Sequence, residues 1–141
     1  MTFMILTPEL VELIHYNILY PNELKGRAAD KSLESALARV DNRLKYGLIE
    51  DGFSLAACYA AAISQGYCFN DGNKRTAFAA LDICLDLNGI EIQWDSSEIG
   101  DKIIQLAQSK LSDEQLAEWM RYRETKQLDT TESDQPYIIE L

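Results

Sequence analysis

Tyr67-Cys68-Phe69-Asn70-Asp71-Gly72-Asn73-Lys74-Arg75-Thr76 is a polar, glycine-bearing stretch set between two strongly apolar segments. Upstream, residues 53–66 carry Leu55, Ala56, Ala57, Ala60, Ala61 and Ile63. So many small apolar side chains all round predict a central helix, closely approached by its neighbours. Downstream, Ala77, Ala80, Leu81, Cys84 and Leu85 fall on one face of a helix expected over 76–88, and Asn88-Gly89 is a helix stop. The stretch therefore reads as a polar loop joining two buried helices.

The rest of the chain repeats the helical pattern. Thr7 before Pro8 reads as an N-cap followed by a first-turn proline, whose missing N–H costs nothing there. Leu10, Leu13, Ile14 and Ile18 carry a first helix to about residue 19, and Pro21 ends it. Residues 22–30, with Gly26 and several charges, read as an exposed loop. Ser32 opens a second helix whose face is Leu33, Leu37, Val40 and Leu44, and 47–52 is a further break. Ile90, Ile92 and Trp94 alternate, as in a short strand or an extended connector. Ser96 or Ser97 caps a helix to residue 109 that buries Ile99, Ile103, Leu106 and Ala107. Ser112-x-x-Gln115 is a capping box for a last helix, with Leu116, Trp119 and Met120 inward. Trp94 and Trp119 read as core anchors. From residue 127 the chain turns polar, ending in the small apolar cluster Tyr137-Ile138-Ile139. The expectation is an all-α bundle of about six helices with little or no sheet. It is one domain over 1–126, followed by a polar C-terminal tail over 127–141.

Composition narrows the function. The chain has 141 residues, 47% hydrophobic and 26% charged, as ordinary globular domains do. Its 13 Lys and Arg stand against 23 Asp and Glu, a net charge of -10, which opposes a general nucleic-acid-binding role. One local basic pocket for phosphate is compatible with that balance. Cys58, Cys68 and Cys84 are an odd number without a Cys-x-x-Cys spacing, and the chain has one histidine, so no zinc site is expected. The N-terminus shows no basic segment followed by an apolar run, and the most apolar stretch, 55–63, is too short to span a bilayer. These features predict a cytoplasmic protein without a membrane partner.

Within the polar stretch, residue types suited to phosphate converge. Backbone N–H groups at the start of the following helix point outward and carry partial positive charge. Gly72 permits close approach to the backbone. Lys74 adds a point charge and Arg75 a planar fork matched to phosphate oxygens. Asp71, the one acid among them, suits Mg2+ bridging two phosphates. Asn73 can orient a phosphate oxygen through its amide. No pocket for a nucleobase is identifiable.

Phe69-x-Asp71-Gly72-Asn73-Lys74-Arg75-Thr76 resembles the signature of the Fic/Doc (Fido) family, His-x-Phe-x-[Asp/Glu]-x-Asn-[Gly/Lys]-Arg. The resemblance extends outward. Leu33-Glu34-Ser35-Ala36-Leu37-Ala38-Arg39 looks like a helix of the Doc (death-on-curing) branch, Ala56-Ala57 like its paired alanines, and Leu87-Asn88-Gly89 like its stop. The resemblance implies a Fido-type bundle that binds ATP or another nucleoside triphosphate with Mg2+ and modifies a hydroxyl on another protein. It makes Asp71 the metal ligand, gives Asn73, Lys74 and Arg75, with Gly72 and Thr76 beside them, to the phosphates, and makes Phe69 a buried anchor. Lys74, with Phe78 where the adenylyltransferase branch has a second Arg, follows the Doc pattern. That branch is thought to bind the nucleotide reversed and to transfer the γ-phosphate to a translation elongation factor. It is held inactive by an antitoxin. No built-in inhibitory Ser/Thr-x-x-x-Glu-Gly/Asn helix is found, so an inhibitor would be a separate chain. The loop 22–30 lies where the family has a flap that aligns the target. The tail reads as loose disorder, with docking of 137–141 on a partner or on a second copy as the alternative.

One residue departs from the pattern. Where the family has its catalytic histidine, this chain has Tyr67. An unperturbed phenol titrates near ~10, against about 6.5 for imidazole, and general-base help is worth roughly 10^2- to 10^4-fold in rate. Three readings stand: Tyr67 is deprotonated by the nearby cations and acts as the base; it only positions the target hydroxyl; or the chain is a nucleotide- or partner-binding regulatory relative with little or no turnover. His15, in the first helix, reads as a surface or core residue rather than a replacement base.

Overall fold

The structure is a computed structural model and describes residues 2–124. Five helices come first in order: α1 (Pro8–Ile18), α2 (Leu33–Lys45), α3 (Gly52–Gly66), α4 (Asn73–Leu87) and α5 (Ser96–Ala107). A sixth, α6, occupies 113–124. No strand occurs among the described residues; there is a single isolated antiparallel bridge, Arg27 to Phe69. The all-α expectation holds. The start of the tail and its apolar cluster lie outside the described residues.

The alanine-rich helix is central, as its composition requires. Leu55 to Ile63 are buried along its whole circumference, and α3 packs against α2, α4 and α5. Side chains no larger than a methyl let neighbouring backbones approach closely. α1 lies across α4 and touches α2, which brings its C-terminal end over the motif. α6 is tied back to the start of α3. Arg121 donates to both carboxylate oxygens of the α3 N-cap Asp51 (2.7 and 3.0 Å) and to the Ser54 hydroxyl (2.8 Å).

Caps fix most boundaries as read. The Thr7 hydroxyl accepts from the Leu10 N–H, and the Ser32 hydroxyl from the Ser35 N–H. Ser112 and Gln115 exchange both bonds of the capping box, at 2.9 and 3.0 Å. Three details differ, and one open choice is resolved. α5 is capped by Asp95, whose carboxylate accepts from Ser97 and Glu98 N–H groups, so both serines lie inside the first turn. Of the two readings of the 90–94 run, the extended connector is the one observed. α1 buries Val11, Ile14 and His15, while Leu13 is 57% exposed. That rotation follows from His15, which has a polar partner and a ring to stack on inside. Finally, α4 starts at Asn73, so Asn73, Lys74 and Arg75 are its first turn rather than loop residues.

No helix among the described residues is long and apolar enough to cross a membrane.

Candidate active site

The motif loop begins where α3 ends, at Tyr67, whose backbone is left-handed (φ 48°, ψ 43°). A bulky side chain there is costly, about 1–2 kcal/mol. The turn leaves Tyr67 half exposed and sends Cys68 and Phe69 into the core. Asn73 then locks the loop. Its side-chain oxygen accepts from the Phe69 N–H (3.1 Å) and its Nδ2 donates to the Phe69 carbonyl (2.9 Å).

Phe69 is the buried anchor that was expected, and its partner is His15. The two rings stack at 3.9 Å and 8°. His15 Nε2 donates to the Asp71 carbonyl at 2.8 Å, which places the ring proton on that nitrogen. The histidine is thus a buried brace of the loop, 3% exposed.

The segment 18–28 straps over the same loop. The Ala28 N–H donates to the Cys68 carbonyl (2.8 Å) and the Asn70 N–H to the Gly26 carbonyl (3.1 Å). The Asn70 side chain donates to the Lys25 carbonyl at 3.1 Å. The loop is mostly exposed, as expected, and it also pairs with the motif at one antiparallel bridge. Arg27 keeps it against the bundle through Glu12 and Glu34.

Two charged groups of the motif, Asp71 and Arg75, are tied to the strap. Asp71 Oδ2 accepts from the Leu24 N–H at 2.8 Å, and its other oxygen has no hydrogen-bond partner among the described residues. Arg75 donates to the Ile18 carbonyl (2.9 Å) at the end of α1, pairs with Glu23, and lies 4.2 Å over the Tyr20 ring. The guanidinium, helped by the Tyr20 N–H, holds the Glu23 carboxyl below its ordinary value of 4.5. Lys74 is exposed and makes no ion pair among the described residues. Gly72 caps α4 with φ 75° and no side-chain bond, and the first backbone bond of the helix runs from the Thr76 N–H to the Gly72 carbonyl, at 2.9 Å. The N–H groups of the first turn are thus left to a ligand or solvent. A Cβ on Gly72 would lie 3.3 Å from Leu19 and 3.4 Å from Ile18, so the glycine also serves the close seat of α1.

The structure brings Asp71, Lys74 and Arg75 together at an uncapped helix start. Tyr67 stands at the entry of the same loop. Asn73 and Phe69 hold the loop, and Thr76 is fully buried, its hydroxyl without a partner. Glu23, Tyr20 and the Ile18 carbonyl escape a reading from sequence, because nothing local marks them as neighbours of residues some fifty positions on. No group of three or more His, Cys, Asp or Glu able to hold a metal occurs among the described residues. One carboxylate with a free oxygen still suits Mg2+, which keeps waters and phosphate oxygens for most of its shell.

Residues 5–85 match the family model described as Fic/DOC family. The chain is also 34% identical to the protein kinase doc of Escherichia phage P1 over 113 residues, which cover 80% of this chain and 89% of that protein. By both matches the chain belongs to the Fic/DOC family, in its Doc branch, with Tyr67 at the position where the family motif begins with histidine.

Proposed function

We propose that this protein is a Doc-type phosphotransferase, moving the terminal phosphoryl group of a nucleoside triphosphate such as ATP to a hydroxyl of a target protein. The observation that carries this reading is the convergence of Lys74, Arg75 and the free N–H groups of α4 beside Asp71. Phosphoryl transfer needs positioning and charge neutralisation more than covalent chemistry from the protein. Lys74 and the α4 N–H groups bind and orient phosphate oxygens, with Arg75 joining once its pairing with Glu23 is shared or broken. Asp71 would hold Mg2+ through its free oxygen, and the ion would supply further positive charge to the phosphates. In the transfer, the target oxygen forms a bond to the terminal phosphorus as the bond to the bridging oxygen breaks. The nucleoside diphosphate leaves, and the hydroxyl proton passes to Tyr67 where that side chain enters the step as phenolate, or otherwise to water.

Tyr67 favours a second reading, a regulatory Fido module that binds nucleotide or partner without turnover. A phenol is a poor base at neutral pH. As expected for the branch, the target would be a translation elongation factor and the restraining partner a separate antitoxin, both in the cytoplasm. Self-association belongs to the same proposal.

Incubation with γ- or α-labelled ATP, Mg2+ and a cell lysate separates the readings. Protein labelled only from the γ position is expected. Label from the α position would make the chain an adenylyltransferase, and label from neither would favour the regulatory module. A Tyr67→His variant is expected to gain activity, by up to about 10^2-fold if the missing base limits the rate.

A further inference from the structure

We propose that the hollow enclosed by α2, the end of α3 and the turn between α5 and α6 is a separate anion site, built for a small, multiply charged phosphate compound of the diphosphate kind. None of the residues lining it belongs to the motif loop or to α4. The site therefore stands whether or not the start of α4 holds phosphate.

The hollow has a volume of about 340 Å³. Arg39 and Arg43 enter it from α2, Lys110 from the α5–α6 turn, and Ser112 and Gln115 from the start of α6. Arg39 and Arg43 are four residues apart, so they share one face of their helix. Among the described residues, Asp113 is the one carboxylate in the lining, and it is already paired with Arg43. Arg39 and Lys110 are exposed and make no ion pair among the described residues. Three cations thus face one neutralised acid, in a chain whose net charge is -10. Like charges gathered in one place repel, and a bound anion removes that cost.

The walls are held in position without a ligand. Arg43 Nη1 donates to the Cys58 sulfur (3.1 Å) and to Asp113, which leaves the Nη2 edge of the fork for an anion. Gln65 Nε2 donates to the Leu106 carbonyl at 2.9 Å and so ties α3 to the end of α5. Ser109 turns the chain in the left-handed region (φ 58°), and the Lys110 N–H returns to the Gln105 carbonyl at 2.8 Å, which fixes the root of the lysine. A serine adopts that backbone at a cost glycine does not bear, and such positions cluster at ligand sites.

The lining is rich in donors and poor in acceptors. The Ser112 hydroxyl oxygen accepts from the Gln115 N–H, and the Gln115 side-chain oxygen accepts from the Ser112 N–H. The hydroxyl proton of Ser112 and the side-chain amide protons of Gln115 are left to donate. Together with two guanidinium forks and an ammonium, they match an ion with several oxygens and more than one charge. A long acidic chain would call for cations spread along a surface, whereas here they converge on one hollow from three directions. The volume lies at the small end of the range for ligand sites, about 300–1,000 Å³. It takes a diphosphate and leaves space for a group attached to it.

Pyrophosphate is the probe. Added to the 141-residue chain and followed by amide NMR, it reports the hollow through residues 39, 43 and 109–115, and the motif separately through residues 72–76. Saturable shifts at the first group are expected. The double variant Arg39→Gln, Lys110→Gln is expected to weaken that binding by about 10- to 100-fold and to leave any response at 72–76 as it was. Both side chains are exposed, so the core is untouched. Gln115→Glu gives a second check, since glutamate preserves the capping box while bringing a negative charge to the hollow. It is expected to weaken pyrophosphate by about two- to fivefold. No saturable shift at 39, 43 and 109–115 in the unaltered protein would overturn the site. Equal shifts there from sodium chloride at matched ionic strength would also overturn it, by reducing the effect to charge screening. So would binding at the first group that keeps its full strength in the double variant.

Discussion

Arg75 satisfies three partners at once: the Ile18 carbonyl, the Glu23 carboxylate and the Tyr20 ring. The first two occupy its Nη1 and Nη2 nitrogens, so an arriving phosphate has to share the fork with Glu23 or displace it. Glu23 has a depressed pKa, which means the carboxylate is charged and the pairing present above its ordinary value of 4.5, and lost as pH falls through the lower folded value. At neutral pH the competition is therefore fully in force. Glu23→Gln is expected to tighten ATP or triphosphate about two- to fivefold, the scale of a surface ion pair, measured by calorimetry at pH 7. Weaker binding in that variant would show that Glu23 aims the guanidinium instead of competing for it. Tyr67 carries a different strain. At φ 48° it sits where glycine is at ease, so Tyr67→Gly is expected to raise stability by about 0.5–1 kcal/mol in urea unfolding. A fall in stability would show that the half-exposed ring contributes packing worth more than the backbone strain. Labelling of target protein by Tyr67→Gly is expected to drop if the phenol positions the hydroxyl, and to stay level if it does not.

Most helices were legible from their caps and apolar spacing, because those signals are local, although α5 is capped by Asp95 and not by either serine. Thr7, Ser32 and the Ser112–Gln115 box act where the chain places them. The start of α4 was not legible, since Asn73, Lys74 and Arg75 add nothing to an apolar stripe and so read as loop. What makes them helical is Gly72 in the left-handed region and the double bond between Asn73 and the Phe69 backbone. The phosphate-binding set could be named from residue types alone, but the strap over it could not. Its contacts join Leu24 to Asp71 and His15 to Asp71 across 47 and 56 positions, a separation at which no period or spacing speaks. α4 also owes its loop to one side chain. Asn73→Ala would leave the Phe69 N–H and carbonyl without partners, at a cost of about 1–3 kcal/mol. Urea unfolding is expected to register that loss, together with weaker binding of triphosphate, because the first turn no longer holds its N–H groups in a fixed direction. Lost stability with unchanged triphosphate affinity would assign Asn73 to folding alone.

At the scale of the whole molecule, the net charge of -10 leaves a fold held by apolar burial and by a few carboxylates paired with arginine. Asp51 shows the balance. Burial pushes its carboxyl up, but Arg121 and the Ser54 N–H outweigh that and hold it below its ordinary value, so its contribution is present above that value and lost in acid. The alkaline side depends on the core. Cys84, on α4, is fully buried, and burial pushes its thiol up to about 12. Cys58, on α3, is pushed up to about 11 by burial and by Asp113 beside it. A thiol with a raised folded pKa keeps its proton more tightly in the folded state than in the unfolded one. Its contribution is therefore whole below the unfolded value of 9.0 and is lost as pH rises from there toward the folded value. Each thiol then subtracts about 1.4 kcal/mol per pH unit through that window. Stability by urea unfolding is expected to change little between pH 7 and 8.5 and to fall steeply between pH 9 and 11. Cys84→Ala lowers stability at pH 7 by removing a packed sulfur, but it is expected to flatten the alkaline slope by about one proton. A slope identical to that of the unaltered protein would mean that Cys84 does not control the alkaline limit, and would leave it to Cys58 and to the buried Tyr59 phenol, which burial pushes up to about 12.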